Sequence, residues 1–326
     1  MALIIRTAEL DLTHQGRRLD QAAAELFPEF SRSRIQQWIR AGSLTLNDTV
    51  VQPKQSVQAG DRLSLQADLV DEHVWEARDL PLQWIYEDEQ IVVINKPAGL
   101  VVHPAAGHAD DTLVNALLHR YPELSQVPRA GIVHRLDKET SGLLVVARTL
   151  EAHHSLVQQL QQRTVKRGYI CVVRGIPPMT GTVNAPIGRH PSHRTRMAVL
   201  EEGKVAITHF KIQKNLKTHA VLAISLETGR THQIRVHMAH LGFPVVGDPM
   251  YSGRRRVQTR SQFNNNNPRQ NEEALRNFLA TFSRQALHAH TLELEHPTLN
   301  RTMAWCSPIT PDIQKLIAIL SNADEA

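Results

Sequence analysis

The sequence predicts an α+β protein, with a small N-terminal module followed by a larger domain on a mostly antiparallel sheet. Three observations predict it. Strand-like apolar runs recur at Ile91 to Ile94, Leu143 to Ala147, Gly168 to Val173 and Val221 to Leu226. They do not alternate strictly with helices, as a doubly wound parallel sheet requires. Residues 67–80 are acidic, with Asp68, Asp71, Glu72, Glu76 and Asp79 against Arg78, and read as a linker ending at Pro81.

The first unit covers residues 16–66. Leu19, Ala22, Ala23 and Leu26 recur at helical spacing, and Pro28 closes the segment. Ser31 caps a second helix whose buried face is Ile35, Trp38 and Ile39, with Gly42 as its left-handed stop. Alternating runs from Ser43 to Leu46 and Arg62 to Leu65 follow, with Asn47 and Asp48 as turn residues.

The second unit covers residues 82–315. Glu151 to Gln162 reads as a helix with Leu156 and Leu160 at i and i+4. Thr231 to His240 reads as another, with Ile234, Met238 and Leu241 inward and Gly242 as terminator. Arg254 to Gln270 reads as a flexible insertion, with a basic start at Arg254-Arg255-Arg256 and the polar tract Asn264 to Asn267.

A length of 326 residues accommodates one large core and a smaller domain. Lys and Arg number 37 against 32 acids, a formal charge of +5 and a pI near 9.4. That is a mild bias toward polyanions. Arg163 to Lys217 concentrates it, with 11 Lys and Arg against Glu201 and Glu202. By charge alone this is equally a solvated face or a phosphate track. Cys171 and Cys306 lack a paired spacing and read as buried free thiols, which suits a reducing compartment. Leu3-Ile4-Ile5 before Arg6 is too short for a signal peptide, and no apolar run reaches a membrane span. A cytoplasmic protein is expected.

The chemistry centres on the run Gly131-Ile132-Val133-His134-Arg135-Leu136-Asp137-Lys138-Glu139-Thr140-Ser141-Gly142. A lone Asp in a turn-rich loop is usually a turn former. Here the whole phrase, His-Arg-Leu-Asp followed by Ser-Gly, resembles the active-site signature of the RluA family of pseudouridine synthases. Three separated phrases agree with it in order. Asn95-Lys96-Pro97-Ala98-Gly99-Leu100-Val101-Val102-His103-Pro104 resembles the segment after the first core strand and shapes one wall of a cleft. Lys166-Arg167-Gly168-Tyr169 resembles the family's basic-residue-x-Tyr motif. In Leu226-Glu227-Thr228-Gly229-Arg230-Thr231-His232-Gln233-Ile234-Arg235-Val236-His237, Gly229 and Arg230 join a strand to a helix N-terminus. Arg18-Leu19-Asp20, Ser31-Arg32-Ser33-Arg34 and Gly42 to Asn47 resemble an S4 RNA-binding domain.

The resemblance implies a catalytic domain on a long, bent antiparallel sheet, with RNA across its central cleft. It implies Asp137 as the catalytic carboxylate and Tyr169 against the target base as acceptor of the C5 proton. It implies Arg230 paired with Asp137, keeping that acid ionised, and Arg135 in the space vacated by a flipped uridine. Lys166, Arg167, Arg32 and Arg34 are expected on RNA. Pseudouridine formation converts one isomer into another, so no redox cofactor, nucleotide or metal is required. The implied partner is 23S rRNA, free or in a pre-50S particle, with the loop of helix 69 as substrate and the protein a monomer. Another large-subunit or tRNA site is the alternative. A catalytically silent RNA-binding or ribosome-assembly protein would not need Asp137, Tyr169 and Arg230 together. A metal-dependent nuclease built on Asp137, His232, His237 and His240 lacks a supporting ligand spacing.

Overall fold

The computed structural model of the chain describes residues 3–68, 75–252, 278 and 281–325, except 29, 31, 105, 106 and 109. The expected Ser31 cap, part of the acidic linker and the insertion with Asn264 to Asn267 lie outside the described residues. The chain divides into two compact units, between Val74 and Trp75.

The first unit packs α1 (Leu19–Leu26) and α2 (Arg32–Ala41) on a three-stranded sheet. Its strands are β1 (Leu3–Glu9), β2 (Leu44–Leu46) and β3 (Arg62–Asp68), in the order β1-β3-β2. Leu19, Ala23, Ile35 and Ile39 meet Leu44, Leu63 and Leu65 in its core. Asn47 and Asp48 both take a left-handed backbone, φ 49° and 60°, as a tight turn with two positive φ values needs. β1 is an addition to the sequence reading. It pairs with β3 along all seven of its residues.

Among the described residues, the second unit is built on a nine-stranded sheet. Its strands are β4 (Gln83–Glu87), β5 (Ile91–Lys96), β6 (Ser141–Ala147), β7 (Lys166–Arg174), β8 (Thr180–Asn184), β11 (Ile207–Leu216), β12 (His219–Leu226), β13 (Leu287–Glu295) and β14 (Thr302–Cys306). A separate ribbon pairs β9 (Ile187–Arg189) with β10 (Met197–Val199). The order β4-β5-β6-β13-β7-β12-β11-β8, with β14 beside β13, is antiparallel except where β13 meets β6. That parallel contact joins the two arms of the sheet. It forms at Gly142, φ +116°, where a Cβ would stand 2.2 Å from the Ala289 carbonyl oxygen. Only glycine lets the strand leaving the Asp137 loop approach β13 so closely.

β5 and β6 read as continuous apolar runs because both of their faces are covered. On one face Val92, Ile94, Leu144 and Val146 join Leu113 and Leu117 of α3 (Leu113–Arg120). On the other, Ile91, Val93, Leu143 and Val145 join Ala152 and Leu156 of α4 (Leu150–Gln162). Ile234 and Met238 of α5 (Gln233–His240) extend the first layer, and α6 (Pro311–Glu325) packs Ile313 and Leu316 beneath β7. Cys171 is buried, but Cys306 is exposed, because β14 borders the sheet only at β13. Both thiols are free. Among the described residues, no helix is long and apolar enough to cross a membrane.

Candidate active site

A cleft of about 820 Å³ opens in the second unit, lined by Asp137, Tyr169, Arg167, Arg135, His232 and Arg235 among others. The loop that carries Asp137 is held by its backbone. Asp137 O accepts from Thr140 N at 3.1 Å, closing a turn, and buried Leu136 anchors the preceding position. The Lys138 carbonyl accepts from Gly99 N at 2.9 Å and from Lys96 Nζ at 3.0 Å. Arg284 Nη1 donates to Glu139 O, and Gln285 Nε2 donates to Thr140 Oγ1. Contacts from two distant stretches of sequence therefore pre-set the carboxylate.

Lys96 is fully buried, and its ammonium also donates to Pro97 O at 2.7 Å and Leu100 O at 2.9 Å. Burial pushes this group down to about 7, while Glu139 and Asp137 pull it up. Three carbonyl acceptors match the three hydrogens of an ammonium and exceed the two of a neutral amine. The geometry therefore favours the charged form.

Asp137 is 15% exposed and accepts from Arg235 Nη1 at 2.9 Å. The other edge of that guanidinium is locked to Asp248, Nε to Oδ2 at 2.7 Å and Nη2 to Oδ1 at 3.0 Å. Asp248 is itself fixed by Met250 N and Tyr251 N. A fork clamped along one edge presents its remaining donor to Asp137 in a single direction. Burial would lower the Arg235 pKa, but Asp248 and Asp137 hold it above the ordinary value.

Arg235, and not Arg230, is thus the partner of Asp137. The expected pairing fails because the helix starts late. Gln233 accepts from Thr228 Oγ1 and Arg230 N, and its Nε2 donates to Ile207 O and Thr208 Oγ1. These bonds fold 228–232 into a turn, with His232 left-handed at φ 58°. Arg230 stays exposed at the cleft edge and donates from Nε to Val205 O at 3.0 Å. Helix α5 begins at Gln233, which turns Arg235 inward.

His232 stands on the other side of Asp137, Nε2 to Oδ1 3.9 Å, too far for a hydrogen bond. Tyr251 Oη accepts from Met197 N at 2.9 Å and lies 2.7 Å from His232 Nδ1. That bond orients the imidazole ring, whichever of the two atoms carries the hydrogen. Burial lowers the His232 pKa and Asp137 opposes that shift.

Tyr169 and Arg167 lie two residues apart on β7, so their side chains share a face. Tyr169 is buried, and burial pushes its phenol up. Arg135 is exposed at the cleft. His134 Nε2 accepts from Val145 N, and burial followed by the Arg167 charge pushes it down to about 3.

Residues 90–240 match the RNA pseudouridylate synthase family, and residues 17–63 match the S4 domain. The ribosomal large subunit pseudouridine synthase D of Pseudomonas aeruginosa is 50% identical over 99% of this chain and 98% of its own length. This chain belongs to the RNA pseudouridine synthases. The synthase D of Haemophilus influenzae is 46% identical, over 98% of this chain and 96% of its own. Among solved structures, human RNA pseudouridylate synthase domain containing 1 aligns with TM-score 0.54 and 27% identity, over 73% of this chain and 87% of that one. Human RNA pseudouridylate synthase domain containing 4 shares the fold, with TM-score 0.55 and 24% identity over 73% and 92%.

In this synthase the other predicted residues fall in different places. Lys166 points away from Arg167, is exposed and pairs with Glu293. In the S4 unit, Arg32 turns back onto buried Asp20, as does Arg18. Burial would raise that carboxyl, but Arg18, Arg32 and Gln36 hold it below its usual range. Arg34 lies 5.8 Å from the centre of the Trp38 ring. His237 is structural, bonded to Thr208 Oγ1 and the Ala185 carbonyl. Sequence reasoning gave Arg235, Asp248 and Lys96 no side-chain role at the site, and it weighed His232 only as a metal ligand. One signal was available: Arg235 is a charge between Ile234 and Val236 in an apolar helix, a position that demands a partner.

Proposed function

We propose that this synthase isomerises uridines of 23S rRNA in the loop of helix 69, acting as a cytoplasmic monomer on free rRNA or a pre-50S particle. The observation that carries the chemistry is the Asp137 carboxylate, held by the clamped Arg235 inside a cleft lined with arginines. The full-length similarity to large subunit synthases D supports the choice of RNA.

The uridine leaves its stack, which is cheapest in a loop, and Arg135 takes the vacated space. Asp137 attacks C1′, removes a proton from C2′, or adds to C6; each route begins with the ionised carboxylate. The C1′–N1 bond breaks, the uracil turns, and C1′ joins C5. Tyr169 lies against the base. With its phenol pushed up, it is a hydrogen-bond donor at neutral pH, so the C5 proton passes to a water that it holds. Residues 16–66 add RNA affinity through Arg32 and Arg34.

The test is to map pseudouridines in 23S rRNA by carbodiimide modification and primer extension after incubation with the enzyme. New stops in the helix 69 loop are expected. Stops confined to another loop, or to tRNA, would replace the substrate.

A further inference from the structure

Arg167 is only 8% exposed, yet its side chain has no hydrogen bond or ion pair among the described residues. Its Nε is sealed from solvent without an acceptor. Nη1 and Nη2 open on the cleft, but a guanidinium so deeply withdrawn from water and given no carboxylate is costly, so the site is incomplete without its ligand. The backbone makes room for it. A Cβ on Gly229 would stand 2.7 Å from Arg167 Nη1, so a larger residue there would displace the guanidinium. Arg167 lines the cleft with Asp137 and shares a face of β7 with Tyr169.

Depth decides the ligand. Arg129, Arg135 and Arg230 are exposed at the cleft, where the RNA backbone passes. A buried guanidinium meets what reaches furthest in, the flipped base. Uracil offers two carbonyl oxygens there, and a guanidinium only donates. When C1′–N1 breaks, the bonding pair passes to the uracil ring and spreads over N1, O2 and O4. When C5 then bonds to C1′, that pair makes the new bond and any bond from C1′ to Asp137 breaks; the C5 proton leaves to water, its pair restores the ring, and N1 takes up a proton. A pre-placed cation without another partner stabilises the separated anion more than the neutral base.

We infer that Arg167 donates to a carbonyl oxygen of the flipped uracil and stabilises the uracil anion released by C1′–N1 cleavage. This rests on the proposed cleavage chemistry and not on helix 69.

Single-turnover tritium release from C5-labelled, full-length 23S transcript tests it with Arg167→Gln and Arg167→Met. RNA affinity and its salt dependence are measured beside it, and thermal unfolding confirms folding. The saturating rate should fall about 10²- to 10³-fold, with Kd and salt slope unchanged. A second transcript carries 5-fluorouridine, whose base is a better leaving group. Its loss in nuclease digests should show a defect at least roughly tenfold smaller, because a more stable anion needs less help. A saturating rate near wild type, or weaker binding with a shallower salt slope and equal defects on both RNAs, would make Arg167 a phosphate contact and overturn the inference. If the wild type modifies a loop other than helix 69, the proposed substrate fails while this comparison stands.

Discussion

Arg235 donates to Asp137 at 2.9 Å with one nitrogen while Asp248 holds the opposite edge of the same guanidinium. The fork aims the carboxylate. Arg235→Lys preserves the charge but cannot bond both acids in this geometry. Its saturating turnover should drop about 10²-fold or more, since a catalytic group misplaced by ~1 Å costs that much. RNA affinity should stay within a few-fold. Parallel rate and filter-binding measurements check this. Arg230→Lys, by contrast, should leave the saturating rate near wild type.

Asp248 is a stability residue as well as a positioning one. Asp248→Ala leaves Arg235 buried with Asp137 alone and strips acceptors from Met250 N and Tyr251 N. Breaking a buried pair from one side costs roughly 3–5 kcal/mol. Urea unfolding of the second unit should show a loss of that order. The double variant Arg235→Met with Asp248→Leu should recover part of it while remaining inactive.

Lys96 staples the turn at 97–100 to the catalytic loop through three carbonyls. Lys96→Met takes the ammonium from the Pro97 and Leu100 carbonyls and leaves Lys138 O with Gly99 N alone, at roughly 0.5–1.5 kcal/mol for each bond lost. Thermal unfolding should come earlier, and turnover should fall because the Lys138 backbone loses one of its two anchors. A thermal midpoint equal to wild type would show that the staple carries no weight.

Three imidazoles give the fold an acid limit. Burial pushes His103 and His288 down to about 4 and His134 to about 3. In the unfolded chain each titrates near 6.5. Between those values the unfolded state binds protons that the folded state does not, so stability rises with pH across the window. The contribution is fully present above roughly pH 6.5 and is lost progressively toward pH 3–4. Urea midpoints from pH 8 to 4.5 should be flat above that point and fall below it. His134→Gln should weaken the slope.

Much of this was legible in the sequence. The Asp137 loop, Tyr169 and the strands β5, β6 and β7 announce themselves because their phrases are local. Arg235 was less legible because Arg230 stands five residues earlier in the same phrase. Only the turn built by Gln233 decides which one faces inward. Asp248 reads as a turn former in Gly-Asp-Pro, and its burial under Arg235 is a tertiary event. Lys96 reads as the start of a Pro-Gly turn, with nothing local to mark a buried ammonium. β1 is short and exists through its pairing with β3. Cys306 sits in a strand, and only the sheet order shows that the strand is exposed.

The most direct measurement is tritium release from C5-labelled 23S rRNA containing helix 69, comparing wild type with Asp137→Asn. The account predicts release by the wild type, none by Asp137→Asn, and comparable RNA binding by both. Release by Asp137→Asn at a rate near wild type would contradict the central claim that this carboxylate performs the chemistry.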